Sequence, residues 1–306
     1  MESWRRHRLV FWVTALPPSL WLLLFFLIPL GIVWVLSFGE KRGLIDVAIV
    51  WTLDNYARAL DPLYLQIFAK SLWIAGLTTF VCLVVGFPVA FAIAFAPARW
   101  RPLLLLLVIL PFWTNLLIRT YALIAVLRTR GFVNFGLEWF WEQGNGFLEL
   151  VGLGQYQLLG ESFDPLVLLY NNFAVVFGLV YVHLPFMVLP LYAALDRMDR
   201  SYIEASLDLG AGQVRTFASI IVPLAKAGII SGVIITFIPA LGSFLTPDLL
   251  GGTDSQMIAN VIERQFKSAN DLPFGSALSF ILMYATFFAL ALRALLAKGS
   301  SAMDAG

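Results

Sequence analysis

Six stretches of this 306-residue chain are almost free of Asp, Glu, Lys and Arg: Leu9 to Phe38, Ser71 to Ala98, Pro102 to Leu127, Leu166 to Leu195, Ala227 to Pro247, and Leu272 to Leu292. Backbone amides in hydrocarbon have no water to bond, so an apolar run of about 20 residues is stable there only as a helix that satisfies its own N–H and C=O groups. Several of the runs exceed that length and imply tilt or interfacial ends. The first is far longer than the apolar core of a secretory signal and shows no small-x-small cleavage motif before Glu40, so it reads as an uncleaved first helix. With 60% hydrophobic and 13% charged residues, against about 25% charged in ordinary globular domains, a soluble fold is excluded. The expectation is an all-α, polytopic membrane protein with six transmembrane helices, forming one transmembrane domain over residues 1–306.

Charge sets the orientation. With the amino terminus in the cytoplasm, 11 Lys and Arg lie inside and 8 outside, leaving Arg119 within the third run. Both termini are then cytoplasmic. Of the 19 acids, 13 fall outside or at its edge, an acidic mouth that either attracts a cationic substrate or restates the positive-inside bias. The near balance of 20 basic and 19 acidic residues gives no field for gripping nucleic acid. One cysteine, Cys82, and two histidines, His7 and His183, leave no ligand set for a metal, and no cofactor is expected. His183, alone in an apolar run, reads as a packed helix residue.

The segment from about 196 to 226 is the most informative. Ser201 and Glu204 have capping-box spacing, Gly210 supplies a helix stop, and Pro223 closes a second short helix. The result is an elbow of two arms, about 9 residues each and roughly 13 Å long. Tyr202, Ile203, Leu207, Leu209 and Phe217 give it an apolar surface suited to docking another protein.

Glu204-Ala205-Ser206, then Gly210, then Ile220 and Pro223, resembles the EAA loop of permease subunits in binding-protein-dependent ABC importers, with Ser206 and Val222 as the two departures. Further segments resemble the spermidine/putrescine branch, specifically its first permease subunit. They are Thr52 to Tyr56 with Asp61 to Tyr64, Pro111 to Asn115 with Ile118, Arg119 and Tyr121, Leu184 to Tyr192, and Pro239 to Gly242 with Asp248 to Gly252. The stretch from Glu142 to Asn172 is longer than that branch leads one to expect.

The resemblance implies a type I importer (MetI-like) permease architecture in the bacterial inner membrane and a polyamine as substrate. It also implies a homologous second permease subunit, two copies of a cytoplasmic ATPase, and a periplasmic binding protein. Glu204, Ala205, Gly210, Ile220 and Pro223 would carry the ATPase coupling. The chain itself lacks the Gly-x-x-x-x-Gly-Lys-Ser/Thr loop that cradles nucleotide phosphates and shows no catalytic constellation, so it reads as a transport subunit and not an enzyme. Other readings are a permease for a different small organic cation or amine, or a secondary transporter. Inverted repeats and coupling-ion residues, the usual signs of the latter, are not evident in the sequence.

Within the runs, Gly228 to Gly232 forms a small-residue face for helix packing. Internal prolines at Pro17, Pro18, Pro29, Pro88, Pro111, Pro185, Pro190 and Pro239 either kink helices for transport or are ordinary membrane prolines. Arg119 lies 17 residues after Pro102, about 25 Å along a straight helix, and is expected to snorkel to the outer interface. Trp113, Asn115 and Tyr121 beside it are pathway candidates, since aromatic faces hold ammonium groups, though Trp and Tyr also belt membrane interfaces. Phe244 and Asp248 complete the set, the carboxylate being expected in a partly desolvated place at the outer end of the fifth run.

Overall fold

The structure, a computed structural model, describes residues 8–43, 46–150 and 162–303. It divides into two compact units, one made of residues up to Gln66 with Val261 onward, the other of Ile67–Asn260. Residues 304–306 and part of the stretch from Glu142 to Asn172 lie outside the described residues.

In the first unit, helix α1 comprises Arg8–Leu22, a π-helical turn Leu23–Leu27, and Ile28–Leu36. None of the side chains from Phe11 to Leu36 is buried, as suits a helix whose solvent is lipid. Strands β1 (Gly39–Lys41) and β2 (Val47–Ile49) then pair antiparallel, with Gly39 opposite Ile49. This ribbon is the one departure from an all-α chain among the described residues. Helix α2 (Asp54–Ala59) is tied to it by Asn55, whose Nδ2 donates to the carbonyls of Ser37 and Gly39 at 3.1 and 2.7 Å. Near the start of the last helix (Leu272–Met303), the Arg58 guanidinium lies 3.9 Å over the Phe274 ring and 2.9 Å from Asp271.

Helix α3 (Pro62–Phe95), which belongs to the second unit from Ile67 onward, is about 50 Å long, more than a hydrocarbon core of about 30 Å requires. Its buried positions Ile74, Ala75, Thr78, Cys82 and others recur every three or four residues, so one face packs inward. Helix α4 (Arg101–Ile109) ends in a 3₁₀ turn, Leu110–Trp113, followed by α5 (Leu116–Leu127), α6 (Phe132–Leu150) and α7 (Asn172–Asp196). The elbow helices α8 (Ser201–Asp208) and α9 (Gln213–Leu224) precede α10 (Lys226–Leu241) and α11 (Leu245–Leu250). The core joins Cys82, Phe87 and Ala90 of α3 to Met187, Leu191 and Leu195 of α7 and to Ile221 of α9.

The small-residue face of α10 meets α7. A Cβ on Gly228 would lie 2.5 Å from the Ala194 Cβ and 2.8 Å from the Pro190 carbonyl, and one on Gly232 2.7 Å from the Met187 sulfur. Only glycine permits this approach.

All six apolar runs fall on helices, but not as six straight spans. Phe11–Leu36, Pro62–Phe95 and Asn172–Asp196 are each long and apolar enough to cross a membrane. The third run breaks, with Arg101–Trp113 and Leu116–Phe147 bent by 95°, and Gln213–Leu224 meets Lys226–Leu241 at 67°. The last apolar helix, Leu272–Phe288, is shorter. The 95° break has a local cause: Thr114 is extended, and Asn115 caps the next helix by accepting from the Leu117 amide at 2.8 Å. The described part of the outer segment after Arg128 contains a 19-residue helix, α6.

Candidate functional site

The elbow forms where the sequence places it, but its first arm is capped differently. Arg200 occupies the cap position of α8 without a side-chain bond, and the Asp199 carboxylate accepts from the Ser201 amide at 3.0 Å. The Ser201–Glu204 capping box does not form. A carboxylate is a stronger acceptor than a hydroxyl and answers the positive end of the helix dipole, so the acid two residues earlier prevails. The backbone amide and then the hydroxyl of Ser201 hold the Asp199 carboxyl below the usual carboxylate range. Glu204 is left exposed, with no ion pair among the described residues.

Gly210 ends the arm as expected, at φ +83°. The Gly210 amide donates to the Leu207 carbonyl at 2.9 Å and the Ala211 amide to the Ser206 carbonyl at 3.1 Å, the paired bonds of a Schellman stop. Leu209, at the tip, is 88% exposed. Across the bend, the Ser206 and Thr216 hydroxyls meet at 3.0 Å and tie the two arms. The Ser206 departure from the family pattern therefore has a structural use.

The second arm is longer than expected. It runs from Gln213 through a π-helical turn, Phe217–Ile221, to Leu224, so Pro223 lies inside it and does not close it. Proline lacks an amide hydrogen and crowds the carbonyl four residues back, here that of Ser219, and a widened turn relieves both problems. Pro29 stands in the same relation to the π turn Leu23–Leu27 of α1, two residues beyond its end. Phe217 stacks edge-on against Phe87 at 5.3 Å, resting the arm on α3. A cleft of 440 Å³ opens between the arms and α3, lined by Phe91, Ile203, Leu207, Val214, Phe217 and Ile221. Of the coupling candidates, Glu204, Ala205, Gly210 and Pro223 are exposed and Ile220 is half-buried.

The pathway candidates lie on neighbouring elements. Trp113, 78% exposed, closes the 3₁₀ turn, while Asn115 caps α5 and Tyr121 lies within it. Leu250 of α11 packs among Leu123, Ile124 and Leu127 of α5, so α11, which carries Asp248, lies against the helix that carries Tyr121. Asn115 is engaged as a helix cap. Phe244 precedes α11, and its carbonyl accepts from Asn260 Nδ2 at 2.8 Å, fixing the chain's re-entry. Asp248 is exposed in this chain, so the expected partial desolvation is not met. Its helix is anchored by Thr246, Pro247 and Leu250, which leaves the acid outward.

The straight helix on which the placing of Arg119 was argued is broken at Thr114, and Arg119 itself is half-buried. Nε and Nη1 of Arg119 are buried without an acceptor. The cue in the sequence was Asn115, a strong cap residue in the midst of an apolar run.

Residues 82–300 match the family described as binding-protein-dependent transport system inner membrane component. The chain is 42% identical over 262 residues to the spermidine/putrescine transport system permease protein PotB of Escherichia coli (strain K12), covering 86% of this chain and 88% of the relative. It is 39% identical over 259 residues to the protein of the same name from Haemophilus influenzae (strain ATCC 51907 / DSM 11121 / KW20 / Rd), covering 85% and 84%. Among solved structures, a bacterial ABC transporter involved in the import of the acidic polysaccharide alginate contains a chain of similar fold, with a TM-score of 0.66 at 16% identity over 95% of this chain and 96% of that one.

Proposed function

Because the chain belongs to the family of inner membrane components of binding-protein-dependent transport systems, we propose that it is the permease subunit through which an ABC importer carries a polyamine of the spermidine/putrescine type. The observation that carries the substrate class is the 42% identity to a spermidine/putrescine permease over 86% of the chain. Likeness to the alginate transporter, at 16% identity, bears on fold alone.

The chain is a transport subunit, and ATP is hydrolysed by a partner. In this reading a cytoplasmic ATPase, present in two copies, docks on α8 and α9. Its push enters at the exposed Glu204 and Leu209 and passes through the Schellman stop and the Ser206–Thr216 tie into α10. A homologous second permease subunit completes the pathway, and a periplasmic binding protein delivers the polyamine. Both units form one transmembrane domain, with both termini in the cytoplasm. The exposed Asp248 and the aromatic rings of Trp113, Tyr121 and Phe244 meet the ammonium groups by charge and by cation–π attraction.

The test is reconstitution of the chain with its ATPase, second permease and binding protein in liposomes, followed by uptake of labelled spermidine and putrescine. ATP-dependent uptake supports the reading. Uptake of another amine but neither polyamine would replace the substrate, and uptake that persists without the ATPase would replace the mechanism.

A further inference from the structure

Two charged residues of the second unit stand at the wrong ends of their helices. Arg101 is the first residue of α4 and Asp196 the last of α7, so the helix dipoles disfavour a cation at the positive end of one and an anion at the negative end of the other. Each is answered by the other: Arg101 Nη1 donates to the Asp196 carboxylate at 2.7 Å. Arg101 Nε donates at 3.0 Å to the carbonyl of Ala96, just beyond the end of α3. One guanidinium therefore joins three helix ends. With side chains 26% and 36% exposed, the pair is partly shielded from the solvent that makes surface ion pairs weak.

The start of the elbow falls on the same turn. Arg200, the cap residue of α8, holds its guanidinium 5.1 Å over the Phe95 ring, with Nη2 3.5 Å from the Ala94 carbonyl. Phe95 stacks on Phe91 at 4.4 Å, Phe91 lines the cleft between the arms, and Phe217 of α9 meets Phe87. Phe87, Phe91 and Phe95, four residues apart, form one stripe of α3, so both arms bear on it. Such packing carries a push but little of a pull, because a gap of about 0.5–1 Å already forfeits much of the dispersion energy. Charge attraction decays more slowly with distance. Among the described residues, Arg101–Asp196 is the one ion pair that links these elements. The positive-inside bias accounts for an arginine on this side of the membrane, but not for the acid at the end of α7 or for a guanidinium whose donors are committed to two other elements.

We propose that Arg101 is a positioning residue of the transport cycle: through Asp196 it makes the α3–α4 turn follow the elbow in both directions, so that α3 returns with α7 when the ATPase releases its push. This inference rests on the ABC importer reading above. Without the pair the elbow still meets the ATPase and hydrolysis continues, but α3 no longer resets with it, and ATP is consumed without a completed transport step.

The test measures ATP hydrolysed per polyamine taken up in the reconstituted transporter at equal protein incorporation. Arg101→Gln and Asp196→Asn should each raise that ratio by about fivefold or more, the lower end of coupling between distant sites, while substrate-free ATPase activity stays near wild type. The chain carrying both Arg101→Gln and Asp196→Asn should be no worse than either single variant, because the same pair is lost in all three. Exchanging the charges, Arg101→Asp with Asp196→Arg, should restore most of the wild-type ratio, since the residues pair again and each now agrees with its helix dipole. A wild-type ratio in both single variants would overturn the inference, as would additive effects in the double variant. Equal loss of uptake and hydrolysis at an unchanged ratio, the result expected of a merely structural pair, would overturn it too. So would an exchanged pair no better than the single variants, the result for an arginine that holds a lipid phosphate on its own. Absence of ATP-dependent uptake with the wild-type chain would overturn the proposed function and the inference with it.

Discussion

Replacing Gly210 by Val separates the backbone requirement of the elbow from its surface. Gly210 has φ +83°, and no heavy atom lies within 4 Å of a Cβ built there, so a side chain at this position meets nothing. The whole penalty is then conformational, of order 1–3 kcal/mol for a β-branched residue in the left-handed region. At about 1.4 kcal/mol per tenfold, the ratio of formed to unformed elbow should fall by roughly 5- to 150-fold. Gly212 supplies the matched control: it is equally free of neighbours but has an ordinary extended backbone, φ −70° and ψ 161°. Gly212→Val should be mild, and Gly210→Asn should be tolerated because asparagine enters the left-handed region at low cost. In liposomes containing the ATPase and the binding protein, polyamine-stimulated ATP hydrolysis and uptake should drop together in Gly210→Val at equal protein incorporation. Equal activity of Gly210→Val and Gly212→Val, or an Asn variant as damaged as the Val variant, would refute the account of the elbow as a backbone-determined turn.

Gly228→Val should lower the melting temperature of the detergent-solubilised protein by forcing α10 off Ala194 and Pro190, a strain of about 1–3 kcal/mol; an unchanged midpoint would mean the two helices are not held at this distance. Asp199→Ala should speed hydrogen exchange of the amides from Ser201 to Glu204 and leave those of α9 unchanged. Because the folded carboxyl titrates below its ordinary value, its support is present at neutral pH and disappears only as pH falls through that lowered value, so exchange between pH 6 and 8 should show no step from this group. Asp248→Asn should reduce polycation uptake without altering membrane abundance or basal ATPase activity, whereas wild-type uptake kinetics would remove the acid from the pathway. A reporter fused after Gly210 should read cytoplasmic and one near Gly144 periplasmic; the same side for both would overturn the orientation.

What could be read in advance followed from rules that act locally or along a whole run. Runs without charge become helices because the membrane leaves the backbone no alternative, and Gly210 stops a helix because its neighbours' bonds need only a positive φ there. The misreadings came where two local signals competed. Ser201–Glu204 and Asp199 both offer a cap, and only acceptor strength decides between them. Asn115 is a cap embedded in a run whose hydropathy argues for continuity, and missing it left the break at Thr114 unforeseen. The ribbon Gly39–Lys41 with Val47–Ile49 was hidden because three-residue strands are too short for alternation to register.

The contact of Gly228 and Gly232 with Pro190, Ala194 and Met187 sets the mechanics of the elbow. Its two feet, at Asp196 and Lys226, belong to helices clamped together a few residues away, so the elbow is a bracket with fixed feet and not a spring between free ends. A force on Leu209 cannot be absorbed by spreading the feet. It acts as a torque on the clamped pair, with the first arm of about 12 Å as the lever, and α7 and α10 must swing as one piece. The tightness of two glycines within the membrane therefore decides whether work done outside it arrives as motion or is lost as slack.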